Sequence, residues 1–320
     1  MNKFIRVLVI FTSAIFYISC HKENIPESGF EMVPYLTFQN WDKRQGGAIF
    51  GDILVCMNAA DKGVVPNGFM YDIKTGAQIC EMTFQTKLHG KEYFTPHANQ
   101  ISFGNEFYDE FSDFPLLYVS QVNGGSGYND LRGERGVLVY NLKKLDDKHY
   151  NPELVQVIVP DTTNSNLMSK LGNYTPNYIV DNVSRQIIII GYPNKSWYDL
   201  SGVQPIAIID LPLLSDGPEI LFTDNDIVDY FSVTDPVVIQ QSFCHNKKVF
   251  ISCGFREQAS IRIIDLNAKS LMCSISMTGH TDGEPQFIGL WKDKILYYEY
   301  DSSGVLYELT IPGYQFNNYE

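Results

Sequence analysis

Short apolar runs separated by glycine, proline, asparagine and aspartate recur along the chain from Met32 to Pro312. The runs are rich in valine, isoleucine, leucine, tyrosine and phenylalanine, and they have the length of single β-strands. No segment in this range shows the longer spacing of apolar residues that is typical of an amphipathic helix. The pattern therefore predicts an all-β protein.

One strand pattern, which ends in an acidic or amide residue, occurs five times. The copies are Met70-Tyr71-Asp72-Ile73, Val139-Tyr140-Asn141-Leu142, Ile208-Ile209-Asp210-Leu211, Ile263-Ile264-Asp265-Leu266 and Leu306-Tyr307-Glu308-Leu309. A unit that returns in this way indicates one supersecondary element used repeatedly.

Each copy has companion strands, and four copies have a proline corner further upstream. The corners are Thr95-Pro96-His97, Thr175-Pro176-Asn177, Asp235-Pro236-Val237 and Glu284-Pro285-Gln286. Proline suits the first residue of a strand, because it has no N–H to donate to the ladder. Four antiparallel strands repeated around an axis form a β-propeller, so we predict a propeller of about five four-stranded blades.

The two ends of the repeat region complement each other. The last copy ends at Pro312 without a fourth strand, whereas Met32–Phe38 is a strand without a blade. Joining them would close the ring and remove two exposed sheet edges. We therefore predict a single propeller domain over 32–312, followed by a tail over 313–320. Two stacked β-sandwiches, or a sixth irregular blade within Asp161–Tyr174, are the alternatives.

The first residues have the pattern of an export signal. Lys3 and Arg6 precede an apolar run, Val7–Ile18, that is short for a membrane span, and Ser19-Cys20 follows it. This pattern predicts a signal peptide over 1–20 and a linker over 21–31. Tyr17-Ile18-Ser19-Cys20 resembles the bacterial lipobox, with Tyr17 in place of the usual leucine. The resemblance implies lipidation of Cys20 and anchoring to the bacterial outer membrane, on its cell-surface or periplasmic side.

Two stretches of the repeat region resemble known propellers. Ser260–Ser270 with Leu271–Met277 is similar to a blade of the YVTN and NHL-like bacterial propellers. His97-Ala98-Asn99 followed by Leu117–Ser120 resembles propeller lipoproteins of Bacteroidetes-type bacteria. The resemblance implies the fold and an exported bacterial lipoprotein, but propellers carry many unrelated sites, so it implies no particular activity.

Charge and cysteine content narrow the possibilities further. The net charge is −13, and no basic stripe is present, which argues against a nucleic-acid partner. Of the six cysteines, Cys56, Cys80, Cys253 and Cys273 lie in apolar strands, so we expect buried free thiols. In an exported protein a Cys56–Cys253 or Cys80–Cys273 disulfide is the alternative.

Two groups of residues are candidates for a ligand site. The long loops at the end of the ring where the innermost strands begin carry Tyr128, Arg132, Trp197, Tyr198 and Arg256. Aromatic and arginine side chains on such loops suit sugars or peptides, although solvated loops have the same composition.

A second group follows the proline corners. His97, Asn177 and Gln286 occupy equivalent positions there, and together with Asn99 they are expected at the mouth of the central channel. Polar residues that merely solvate the channel are the alternative. We predict a non-catalytic site for a carbohydrate, peptide or protein partner. No metal, other cofactor or catalytic residue is expected, because the histidines are scattered and no dedicated cofactor motif is present.

A glycosidase is the rival hypothesis, since five-bladed propellers include such enzymes. Glycoside hydrolysis requires two carboxyl groups, and Asp181, Asp235 and Glu284 are near inner strands. Asp235 and Glu284 stand in the proline corners where Thr95 and Thr175 occur, so turn capping explains them more simply. A scaffold that binds nothing small is the third possibility.

Overall fold

Five antiparallel sheets surround one axis in the computed structural model. It describes residues 29–58, 66–93, 98–120, 136–146, 148–161, 166–172, 176–192, 199–281, 283–314 and 316. Each sheet forms one blade, and the innermost strands of the blades pack against one another around the axis. The predicted five-bladed propeller is therefore confirmed, and the stacked-sandwich and six-bladed alternatives are wrong.

The blades are formed one after another along the chain, and one strand precedes the first blade. The chain begins with β1 (Glu31–Thr37). Blade 1 contains β2 (Gly47–Phe50), β3 (Ile53–Met57), β4 (Asn67–Asp72) and β5 (Gln78–Thr83). A small hairpin follows, made of β6 (Lys87–Leu88) and β7 (Lys91–Glu92). Blade 2 contains β8 (Gln100–Phe107), β9 (Pro115–Ser120), β10 (Val137–Asp146) and β11 (His149–Pro160), and the short helix α1 (Leu167–Lys170) comes after it.

The other three blades repeat this order from the axis outward. Blade 3 contains β12 (Asn177–Asp181), β13 (Gln186–Ile190), β14 (Gln204–Asp210) and β16 (Ile227–Val233), with β15 (Glu219–Phe222) inserted before β16. Blade 4 contains β17 (Ile239–His245), β18 (Lys248–Cys253), β19 (Ser260–Asp265) and β20 (Ser270–Ser276). Blade 5 contains β21 (Pro285–Trp291), β22 (Lys294–Glu299) and β23 (Val305–Thr310). Among the described residues no helix is long and apolar enough to cross a membrane.

The ring closes through β1, as the sequence predicts. This strand is the outermost strand of blade 5 and pairs with β23 in antiparallel register, with Met32 opposite Leu309. The first and last strands of the repeat region therefore lie in one sheet, and the edge of β23 is covered.

Blade 3 departs from the sequence-based prediction. The segment 223–236 is not among the strands of the sequence repeat, but β16 occupies half of it and is the fourth strand of the blade. The alternation of apolar and polar residues along β16 is hard to recognise in the sequence, because Asp229 lies on the more buried side of the strand. There it forms a 2.6 Å ion pair with Lys269. The preceding strand β15 leaves blade 3 and pairs in parallel with β11, which gives blade 2 a fifth strand.

The hydrophobic core lies between neighbouring blades. Four consecutive isoleucines of β13, at 187–190, are completely buried because each face of a blade packs against the next blade. The cysteines at 56, 80, 244, 253 and 273 are all free thiols, and all but Cys244 are fully buried. Burial raises the pKa of Cys56 to about 12 and that of Cys80 to about 11. The prediction of buried free thiols is confirmed, and neither proposed disulfide is present.

Candidate functional site

Polar side chains from several blades meet where the innermost strands begin, and we call this end of the channel the amino-end mouth. The Asn99 amide, just before β8, donates to Gln240 Oε1 of β17 at 2.9 Å. The Gln240 amide in turn donates to Glu284 Oε1, just before β21, at 2.9 Å. Blades 2, 4 and 5 are therefore joined across the axis by a chain of three side chains.

Two β-bulges place glutamines in this mouth. The register of β17 against β18 shifts between Ile239 and Gln241, and the register of β21 against β22 shifts between Pro285 and Phe287. Gln240 and Gln286 are the extra residues. A bulge re-aims the side chain of the extra residue away from the regular ladder. The sequence alignment placed Val237 opposite Gln286, which is wrong by three positions, because β17 begins after its proline corner and not at it.

Several amide atoms in this mouth are buried without a partner. Gln286 is completely buried, and neither its Oε1 nor its Nε2 makes a hydrogen bond of normal geometry within the described ranges, although its amide lies near enough to the Glu284 carboxyl to lower that group's pKa. The same holds for Asn99 Oδ1 and Asn177 Oδ1, while the Asn177 amide donates to the Tyr192 hydroxyl at 3.3 Å. An unsatisfied buried polar group costs about 1–3 kcal/mol, so this concentration of four atoms in one place points to a polar occupant.

Two carboxyl groups of blade 5 lie beside the mouth. Burial raises the pKa of Glu284 above its usual range, and the neighbouring Gln240 and Gln286 amides oppose this shift. Glu299, which ends β22 opposite Pro285, is only 7% exposed. Sequence reasoning missed Glu299, because a glutamate at the end of an apolar strand normally faces solvent.

The other two proposed carboxylates lie elsewhere. Asp181 is at the far end of β12, where it accepts hydrogen bonds from the Val183 and Ser184 backbone and pairs with Lys247 at 3.2 Å. Asp235 is exposed, in a left-handed conformation with φ of 57°. Of the three candidates, only Glu284 is thus placed at the amino-end mouth.

Below the mouth, side chains close the channel, and we call this group the amide plug. The Gln241 amide donates to the carbonyls of Gly47 at 2.9 Å and Ile101 at 3.0 Å, in blades 1 and 2. The Gln100 amide donates to the Ser242 carbonyl at 2.9 Å, and the Ser242 hydroxyl donates to Gln100 Oε1 at 2.9 Å. These bonds satisfy inner strand edges that have no neighbouring strand.

Of the loop residues proposed as ligand-binding, the structure describes only Arg256. Arg256 is exposed in a single 3-10 turn between β18 and β19, and its backbone N–H donates to the Gly283 carbonyl at 3.3 Å. The other candidates lie outside the described residues, as does the lipidation candidate Cys20; they are His97, Tyr128, Arg132, Trp197 and Tyr198. No group of three or more metal-ligating side chains is found in the described ranges.

Comparison with known proteins adds a likeness in fold. No protein-family model and no curated protein matches the chain. Glutaminyl cyclase of Myxococcus xanthus is 9% identical, with 88% of this chain and 94% of that chain covered and a TM-score of 0.46. The PQQ-bound aldose sugar dehydrogenase of Streptomyces coelicolor is 10% identical, with 88% and 98% covered and a TM-score of 0.45. Because identity and structural similarity are this low, the activities of these proteins carry no argument for this chain.

Proposed function

We propose that this protein is a non-catalytic binding protein that takes a carbohydrate into the amino-end mouth. The observation that carries the proposal is the set of buried, unpaired amide atoms on Asn99, Asn177 and Gln286. Sugar hydroxyls both donate and accept hydrogen bonds, so they match a site that offers carbonyl oxygens and an N–H group together. A peptide backbone offers the same two groups, which makes a peptide or a loop of a protein partner the other outcome to test.

A glycan array probed with the purified protein tests this proposal directly, with titration calorimetry and product analysis on every hit. In the variant Gln286→Leu we expect at least tenfold weaker binding of the same glycan. Its stability should stay equal or rise, since the leucine leaves no unpaired amide. Gln258→Leu, which changes an exposed glutamine between β18 and β19, is the matched control and should bind normally. Binding of peptides but not of glycans would replace the carbohydrate by a peptide ligand.

A glycoside hydrolase at the same place is the second candidate. It is favoured by Glu284 and Glu299, two carboxyl groups that flank the start of β21, and by the raised pKa of Glu284, which suits a general acid. Release of shorter sugars from a bound glycan, lost in Glu284→Gln with binding retained, would favour the hydrolase. Binding without products would favour the binding protein.

We also propose that the protein is exported and held at the outer membrane by a lipid on Cys20. The support is the sequence of the first 20 residues, since these residues lie outside the described part of the structure. Metabolic labelling of the wild-type protein and of Cys20→Ala with radioactive palmitate tests this proposal. We expect the label in the wild type and not in the variant, and equal labelling of the two would contradict a lipid on Cys20.

A further inference from the structure

A separate cavity opens at the other end of the channel, where the innermost strands finish. Its volume is about 410 Å³, and residues from all five blades line it. Gln241 and Ser242 of the amide plug form its inner end. Small-molecule sites usually measure about 300–1,000 Å³, so the cavity has the size of a binding site for one small ligand.

The walls of the cavity differ in chemistry. Blades 1, 2, 4 and 5 contribute large apolar side chains, with Phe243 as the blade 4 member, whereas blades 2, 3 and 4 also contribute uncharged polar ones. The apolar group includes Phe50, Phe107, Ile288 and Leu290, and the polar group includes Ser102 and Asn182. Among the described residues, none of the lining side chains is a lysine, arginine, aspartate or glutamate. An ion entering this cavity would lose water without gaining a counter-charge, which disfavours charged ligands.

Aromatic rings stand at the rim of the cavity. Phe50 is 37% exposed and Phe107 is 43% exposed, and their ring centroids are 6.2 Å apart in an edge-to-face arrangement. The Phe50 ring also lies 5.8 Å from that of Phe103. Rings exposed at a cavity mouth are available for stacking on a planar ligand, which would remove their apolar surface from water.

A hydrogen-bond donor is available inside. The Ser102 hydroxyl accepts a hydrogen bond from the Gln100 amide at 3.2 Å. Within the part of the chain that the structure describes, the hydroxyl has no acceptor for its own proton, so that proton can be donated to a ligand.

We propose that this cavity is a second binding site, independent of the amino-end mouth, for a small uncharged molecule with an aromatic ring and a hydrogen-bond acceptor. The ring would lie between the rim phenylalanines and the aliphatic side chains of β21. The acceptor would point inward toward Ser102. The two sites lie at opposite ends of the inner strands and are separated by the amide plug.

Fluorescence titration of the full-length protein with the neutral probe 6-propionyl-2-(dimethylamino)naphthalene, whose ketone oxygen is a hydrogen-bond acceptor, tests the proposal. We expect saturable binding of one probe per chain. The anionic probe 8-anilinonaphthalene-1-sulfonate has the same naphthalene ring and a negative charge, and we expect it to bind at least tenfold more weakly. Equal binding of the two probes, or a signal that never saturates, would overturn the proposal.

Matched variants locate the bound probe. Leu290→Trp fills the cavity and should weaken binding at least tenfold, whereas Leu221→Trp adds the same ring on the exposed strand β15 and should not. Phe50→Ala removes a rim ring that is already partly exposed, so it should fold normally and weaken binding several-fold. Phe111→Ala removes a ring that is 80% exposed outside the cavity lining and should leave binding unchanged. Loss of binding in Phe111→Ala, or normal binding in folded Leu290→Trp and Phe50→Ala, would overturn the assignment.

Discussion

The guanidinium carbon of Arg44 lies 3.5 Å from the centroid of the Phe69 ring. Arg44 belongs to the connection between β1 and β2, and it is 3% exposed. Its donors reach neutral acceptors: Asn58 Oδ1 at 2.7 Å, the Tyr71 hydroxyl at 3.2 Å and the Asn40 carbonyl at 3.4 Å. A planar, weakly hydrated cation on an aromatic face can be buried in this way, so Arg44 fastens the segment that joins blade 5 to blade 1.

We predict that Arg44→Lys destabilises the protein by about 1–3 kcal/mol, because the ammonium group cannot stack on Phe69 and reach all three acceptors together. The denaturant midpoint in urea measures the change. Lys43→Met, at the exposed neighbouring position, is the control, and its effect should be within about 0.5 kcal/mol. An equally small effect for Arg44→Lys would show that the stacking contributes little.

Gln241 provides a second test, at the centre of the amide plug. Gln241→Leu removes both donors from the Gly47 and Ile101 carbonyls, which then lie buried without partners. We expect a loss of about 2–6 kcal/mol for the two carbonyls, since each unsatisfied group costs about 1–3 kcal/mol. Thermal unfolding followed by circular dichroism measures it, with Gln258→Leu as the exposed control. Unchanged stability would mean that water replaces the glutamine at no cost.

The five-fold repeat could be predicted from sequence in part because two of its acidic residues act locally. Asp72 Oδ1 accepts hydrogen bonds from the Lys74 and Thr75 backbone at 2.7 and 3.0 Å, and Asp265 forms the same pair of bonds after β19. An acidic residue that caps its own turn leaves a signature within four residues of sequence. The closure of the ring by β1 followed from counting strands.

The parts that sequence reasoning missed depend on contacts between distant residues. β17 begins three residues after its proline, whereas β21 begins at its own proline, so the alignment of the corners could not identify Gln240 as the counterpart of Gln286. β15 is four residues long and joins another blade by parallel pairing, for which no local turn signal exists. The cavity at the far end of the channel arises from five strand ends that come together only in the folded ring.

Removal of β1 tests the ring closure. A chain that starts at Phe38 would leave the outer edge of β23 without a partner. We expect the loss of several kcal/mol of stability and the formation of oligomers through the open edge. Size-exclusion chromatography with light scattering, together with thermal unfolding, measures both effects. A chain that starts at Gly29 keeps β1 and is the matched control, and identical behaviour of the two chains would contradict closure by this strand.

The carboxyl group of Glu284 should make stability depend on pH in a defined direction. Burial raises its pKa in the folded state above the ordinary value of 4.5. Between pH 4.5 and the folded-state pKa, the folded chain therefore binds more protons than the unfolded chain. Its contribution is fully present below pH 4.5 and is lost as the pH rises through the folded-state pKa. Glu284→Gln keeps an acceptor for Gln240 and removes the titrating group. The free energy of unfolding of the variant, relative to that of the wild type, should therefore increase as the pH rises above 4.5. Urea denaturation at a series of pH values measures the difference in unfolding free energy between the variant and the wild type, and Glu257→Gln, at an exposed site, should follow the wild type.

A difference that is constant or shrinks as the pH rises would mean that Glu284 is as well solvated in the folded protein as in the unfolded chain.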